Sequence, residues 1–187
     1  MMADDDTVKR AHRELFAAKA TPAFVDVPAL PYLMVDGAGD PNGPEYEDAI
    51  QRLYRTAYRI RAVFKARGEV YSVPPLEGLW TDVGDGLGDR RGWKWTMILL
   101  QPAGAAADMI EAPGVRLETF EEGPSVQVLH VGPYHQETEA IHRLLAFAAE
   151  HGREVTGRHH EIYLSDPRRT APERLKTILR YGVSSGS

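Results

Sequence analysis

Cysteine is absent from all 187 residues, which removes disulfides and thiolate metal sites and suits a reducing compartment. No apolar run approaches the length needed to cross a bilayer. The opening stretch MMADDDTVKR is acidic and has no apolar centre, so it does not read as a secretory signal. A basic field is lacking too. The net charge is −5 and the arginines are interspersed with Glu and Asp, whereas a nucleic-acid surface needs clustered positive charge to neutralise phosphates. There is no HExxH-like spacing, and His159 and His160 are adjacent, so in a strand they face opposite sides. Neither a metal nor an organic cofactor is expected. Together these absences point to a cytoplasmic protein with no nucleic-acid and no membrane partner.

What is present is an ordinary foldable composition, 43% hydrophobic and 26% charged, in a chain that suits one domain or two small modules sharing a core. TVKRAHRELFAAK is expected to form a short helix that Thr21 and Pro22 stop. Tyr32 to Val35 reads as a strand, and Asp40 to Pro44 (DPNGP) as a turn into a helix. In that helix Ile50, Leu53, Ala57, Ile60 and Phe64 recur at three- and four-residue spacing up to Gly68. Glu69 to Val73 reads as a strand broken by Pro74 and Pro75, Trp80 to Gly92 as a Gly- and Asp-rich loop, and Trp93 to Leu100 as a strand.

The second half repeats the order. Ser125 to Val131 is a strand, Gly132 and Pro133 turn the chain, and Gln136 to His151 is a helix with Ile141, Leu144, Leu145 and Ala148 inward. A strand at His159 to Leu164, a turn at Ser165 to Pro167 and a final segment PERLKTILRYGV follow. The expected fold is α+β: a pseudo-twofold pair of strand-helix-strand-strand modules, with an antiparallel sheet, helices on one face and a ligand groove on the other. The first module spans about 30–102 and the second about 115–183, within a domain at 23–183. Residues 1–22 form a helical extension and 184–187 a disordered tail.

In the strand at His159, alternation puts His159, Glu161 and Tyr163 on one face and Ile162 and Leu164 on the other. A carboxylate and a phenol on one face make a candidate site. The structural alternative is that Glu161 pairs with Arg158, Arg168 or another Arg across the sheet and that Tyr163 is a cross-strand aromatic. Trp93 and Trp95 share a face with Met97 and Leu99 and suit a core, while Trp80, beside the Gly-rich loop, is the better pocket wall. Glu77 is either a second pocket acid or a turn residue.

Four strings, PPLEGLW (Pro74 to Trp80), WKWTMILLQP (Trp93 to Pro102), VQVLHVGPYHQE (Val126 to Glu137) and HHEIYLSDPRRTAPERLKTILR (His159 to Arg180), closely resemble the GyrI-like small-molecule-binding family in order and spacing. The resemblance runs from about Tyr32 to the end and implies the same paired modules. It maps the family's ligand-facing acid onto Glu161 and implies a planar aromatic small-molecule ligand. Nothing ahead of the domain resembles a helix-turn-helix or coiled coil, and DNA gyrase is not expected as a partner; the chain is a monomer or a homodimer. A standalone subgroup is similar to hydrolases that open the cyclopropane of yatakemycin- and duocarmycin-type antibiotics, which implies resistance or detoxification. For that chemistry Glu161 would be the base, Tyr134 or Tyr163 the donor to the developing oxyanion, and Trp80, Trp95 and Trp93, with Glu77 and His159, the substrate-binding groups. The alternative is a noncatalytic binder of planar or cationic drugs.

Overall fold

The computed structural model describes residues 7–81 and 90–186. The Asp4 to Asp6 cluster and most of the loop read at Trp80 to Gly92 lie outside the described residues. In chain order the regular elements are α1 (Thr7–Ala11), β1 (Ala23–Val27), β2 (Leu30–Ala38), α2 (Pro44–Ala66), β3 (Glu77–Thr81), β4 (Lys94–Leu100), β5 (Val115–Phe120), β6 (Gly123–Val131), α3 (Thr138–Glu150), β7 (His159–Tyr163) and β8 (Lys176–Gly182).

The chain divides into two compact units. One is built on Leu30–Phe120 and the other on Glu14–Ala29 with the chain from Glu121 onward. Each contains strand, helix, strand, strand: β2-α2-β3-β4 in the first and β6-α3-β7-β8 in the second. Their hydrogen-bonded orders correspond as well, β3-β4-β2-β5 in one and β7-β8-β6-β1 in the other. Every pairing with a known register is antiparallel. The protein is α+β, as the order of elements in the sequence implies.

In the first unit α2 begins with Pro44 at its first turn, where a missing N–H costs nothing, and carries Glu45 and Glu47 at its positive end. Leu53, Ala57, Ile60 and Phe64 form its buried stripe. On the sheet, Gly37 is paired with Trp95, and a Cβ on Gly37 would lie 2.0 Å from the Trp95 ring. Only glycine leaves room for the indole there. Trp95 in turn meets Tyr46 of α2 edge-on at 5.1 Å, and Tyr46 stacks on Trp80 at 6.0 Å.

Two local expectations fail in this unit. Glu69 to Val73 is not a strand and holds only a single bridge position at Tyr71. The strand instead starts beyond Pro74 and Pro75, which cannot donate to a ladder, and β3 then runs through Trp80 and Thr81, two residues assigned to the loop. The edge strand β5, VRLETF, is short and mostly half-buried or exposed, with only Val115 buried.

In the second unit Val126, Val128 and Leu179 pack against Ala140, Leu144 and Ala148 of α3. Leu145, expected inward, is exposed. The opposite sheet face carries Arg180, fully buried and paired with Gln127 in register. The Arg180 guanidinium donates to Gln127 Oε1 at 2.8 Å and to the Leu15 carbonyl at 2.6 Å, and Gln127 Nε2 donates to the Ala17 carbonyl at 3.1 Å. Residues 14–17 are thereby tied across this face by side chains that bond their backbone. His160, on the same face, lies 2.9 Å from Glu122 Oε2.

Candidate functional site

Glu161 is paired with Leu179, which is paired with Val128, so all three share a sheet face. That is the face on which α3 packs. Tyr163 is paired with Thr177 and lies on the same side. At the head of α3 the chain turns through Gly132, whose φ of 137° disfavours side chains, and a 3-10 turn, Tyr134–Gln136, leads to Glu137 at the helix N-cap. The turn is pinned by His130 Nε2 against the Pro133 carbonyl at 3.0 Å. This geometry brings Glu137 and Tyr134 over β7.

The result is a continuous polar set within one unit. Tyr163 donates its hydroxyl to Glu161 Oε2 at 2.6 Å. His159 Nε2 is 2.7 Å from Glu161 Oε1, and His159 Nδ1 is 2.7 Å from the Tyr181 hydroxyl. Glu137 hydrogen-bonds Glu161 from the helix side, and the Tyr134 ring meets Tyr163 edge-on at 5.9 Å. The Glu161 side chain keeps 13% of its exposure and Tyr134 keeps 38%, so the set is sheltered yet reachable from outside.

Electrostatics separates the two acids. Burial opposes charge on Glu161, but hydrogen bonds from His159, Tyr163 and Glu137 outweigh it and hold this carboxyl below the ordinary range. Burial, followed by the neighbouring Glu161 charge, pushes Glu137 well above it. The environment thus favours charge on Glu161 and a proton on Glu137. Tyr134 and Tyr181 are both pushed up to about 12, by burial first and then by Glu161 and Glu137, so both hydroxyls keep their protons. Two carboxyl groups with their proton affinities driven apart are a recurring mark of acid–base sites.

A family model for the GyrI-like small molecule binding domain matches residues 20–181. The chain belongs to the GyrI-like family. Two solved structures from Listeria innocua are similar over nearly their full length. One, an uncharacterised conserved protein, is 38% identical with a TM-score of 0.89, covering 97% of this chain and 100% of its own. The other, a hydrolase, is 37% identical with a TM-score of 0.85 over the same shares. The EcmrR C-terminal domain, 15% identical with a TM-score of 0.59, covers 88% of this chain and 98% of its own, a likeness of fold alone. No curated protein matches.

In this GyrI-like protein His159, Glu161, Tyr163 and Tyr134 come together as a cluster in the second unit. Glu137 and Tyr181 complete it, and the sequence reading assigned neither a role. The only advance signal for Glu137 was an acid at a helix N-terminus following a Gly-Pro turn, a pattern that usually denotes capping. The tryptophans belong to the first unit. Trp95 is 2% exposed and Trp80 5%; with Tyr46 they form core, and neither presents a face for stacking. Trp93 is half-buried and meets Trp80 edge-on at 5.8 Å. Glu77 is buried and paired with Ile98, on the sheet face opposite Trp80 and Trp95. The arginine partners considered for Glu161 do not set its protonation: His159, Tyr163 and Glu137 do, and Arg168 is bonded to Asp166 at 3.0 Å. No described helix is long and apolar enough to cross a membrane.

The registers of the two units can be compared position by position. Trp80 pairs with Trp95 at the second residue of β4, and Tyr163 pairs with Thr177 at the second residue of β8. Gly78 and Glu161 likewise face the fourth residues, Met97 and Leu179. One unit fills this corner with indoles and the other with acids and phenols.

Proposed function

We propose that this protein is a hydrolase that opens the cyclopropane of spirocyclopropylcyclohexadienone DNA-alkylating antibiotics, of the yatakemycin and duocarmycin type, by adding water. The observation that carries the reading is the cluster of Glu161 with Tyr163, His159 and Tyr134, in which Glu161 is held below the ordinary carboxyl range and its neighbour Glu137 above it. The hydrolase among its Listeria relatives supports an enzymatic role.

The chemistry asks for little. Ring strain activates the substrate, so a base for water and a donor at the developing oxyanion suffice. Glu161 takes a proton from water as the water oxygen bonds the strained methylene carbon. The carbon–carbon bond to the spiro centre breaks, and its electron pair moves through the dienone to the oxygen, giving a phenolate that is then protonated. Tyr163 has its hydroxyl committed to Glu161, so it orients the base. Tyr134, exposed and holding its proton, is the donor toward the oxyanion, and Glu137 is the nearby acid that resupplies the proton. A positioned base and an oxyanion donor each contribute roughly a hundredfold or more. The tyrosines and His159 supply the flat faces that hold a planar ligand.

The test is mass spectrometry of such a cyclopropane incubated with purified protein: a water adduct supports the reading. A second reading, a noncatalytic binder of cationic aromatic drugs, draws support from the same charged acid among aromatic rings. Tight binding with no adduct would favour it. As a hydrolase the protein would give resistance or detoxification; as a binder it would sequester or sense the drug.

A further inference from the structure

We propose that Glu137, His159 and Glu161 bind one divalent transition-metal ion of the zinc type. One donor atom from each residue lies within 4.8 Å of the other two. Donors around a tetrahedral zinc at ordinary bond lengths sit about 3.3 Å apart, so small side-chain movements close the set around an ion.

A separate observation points to a ligand. Glu137 is buried, and its Oε1 has no hydrogen-bond partner. A buried, unsatisfied carboxyl oxygen carries a desolvation cost that a bound cation removes. The outer groups needed for metal binding are also in place. His159 Nδ1 is held by the Tyr181 hydroxyl at 2.7 Å, which leaves Nε2 directed at the carboxylates. With a metal on Nε2 the imidazole carries its hydrogen on Nδ1 and donates it to the Tyr181 oxygen, the orienting bond that ligating histidines ordinarily make. Tyr163 holds Glu161 Oε2, and the ion would take the place of the hydrogen between Glu161 Oε1 and His159 Nε2, now 2.7 Å apart. Binding displaces the Glu137 proton, and the resulting one nitrogen and two carboxylate oxygens, with no thiolate, suit zinc or cobalt and leave the fourth position open.

The site is the one assigned to hydrolysis, but the metal test contains no substrate and stands whatever becomes of that reading. Full-length protein, treated with chelator and freed of any affinity tag, is titrated with zinc chloride by calorimetry beside Glu137→Gln and His159→Gln. The expected result is one equivalent per chain for wild type, with affinity at least tenfold weaker in each variant. Cobalt absorption of the wild type, independent of any variant, is expected to show the intense visible bands of a four-coordinate site. Absence of saturable uptake at one equivalent, weak octahedral-type cobalt bands, or undiminished uptake by both folded variants would overturn the proposal; the last would place the ion on surface histidines.

Discussion

Glu137, at the head of α3, meets Glu161 on β7, and the two carboxyl groups are driven in opposite directions, Glu137 above and Glu161 below the ordinary range. Burial alone would discharge both. Glu161 stays charged because His159 and Tyr163 bond its oxygens at 2.7 and 2.6 Å, and that charge in turn keeps the proton on Glu137. The asymmetry assigns the base and the acid.

Replacing the base removes the chemistry and spares the ligand contacts. Glu161→Gln is expected to lower turnover of the cyclopropane roughly a hundredfold or more, while dissociation constants for planar aromatic ligands stay within about threefold. Steady-state rates alongside fluorescence titration check this. Turnover equal to wild type would remove Glu161 from its role.

Glu137 should respond differently. Glutamine resembles a protonated glutamate and can still donate to Glu161, so Glu137→Gln is expected to lose at least tenfold less activity than Glu161→Gln. If the two losses are equal, or reversed in order, the charge sits on Glu137 and the assignment is inverted.

On the other sheet face, burial opposes the charge on Glu122, but His160 and then Arg180 hold its carboxyl below the ordinary range. A depressed carboxyl contributes stability above its unfolded value and loses it as pH falls through the folded one. Melting temperature should therefore drop as pH falls below the ordinary carboxylate range. Glu122→Gln should be less stable at neutral pH, by about 3–5 kcal/mol for a broken buried pair, and should melt lower with a flatter acid limb. Parallel wild-type and variant curves would show that Glu122 does not carry the dependence.

Gly37→Ala tests the core of the first unit. Its methyl would meet Trp95 ring atoms at 2.0 to 2.5 Å, and overpacking of this kind costs about 1–3 kcal/mol or more. Chemical denaturation should show that loss. A variant as stable as wild type would mean the indole has room to move aside.

Much of this was legible in the chain. The alternation in HHEIY placed His159, Glu161 and Tyr163 on one face, and that face holds in the register with Leu179. The apolar spacing of α2 and the repeated Gly/Pro breaks before each helix were enough to find the duplicated units. What escaped has a common cause, dependence on partners distant in sequence. Glu137 looks like a helix cap until α3 is laid over β7. Tyr181 lies in a final segment to which no role was given, and gains meaning from His159 beside it. Trp80 looked like a pocket wall because it borders a Gly-rich stretch, whereas pairing with Trp95 draws it into the core. The edge strands β1 and β5 are short, five and six residues, and are strands because β6 and β2 offer them a free edge.

The most direct test of the hydrolase account is incubation of a duocarmycin- or yatakemycin-type cyclopropane with wild type and Glu161→Gln in water enriched in oxygen-18, followed by mass spectrometry. The account predicts a ring-opened phenol carrying the heavy oxygen on the former cyclopropane methylene, formed by wild type and nearly absent with the variant. Unaltered compound recovered from wild type, or an adduct formed equally fast by the variant, would contradict it.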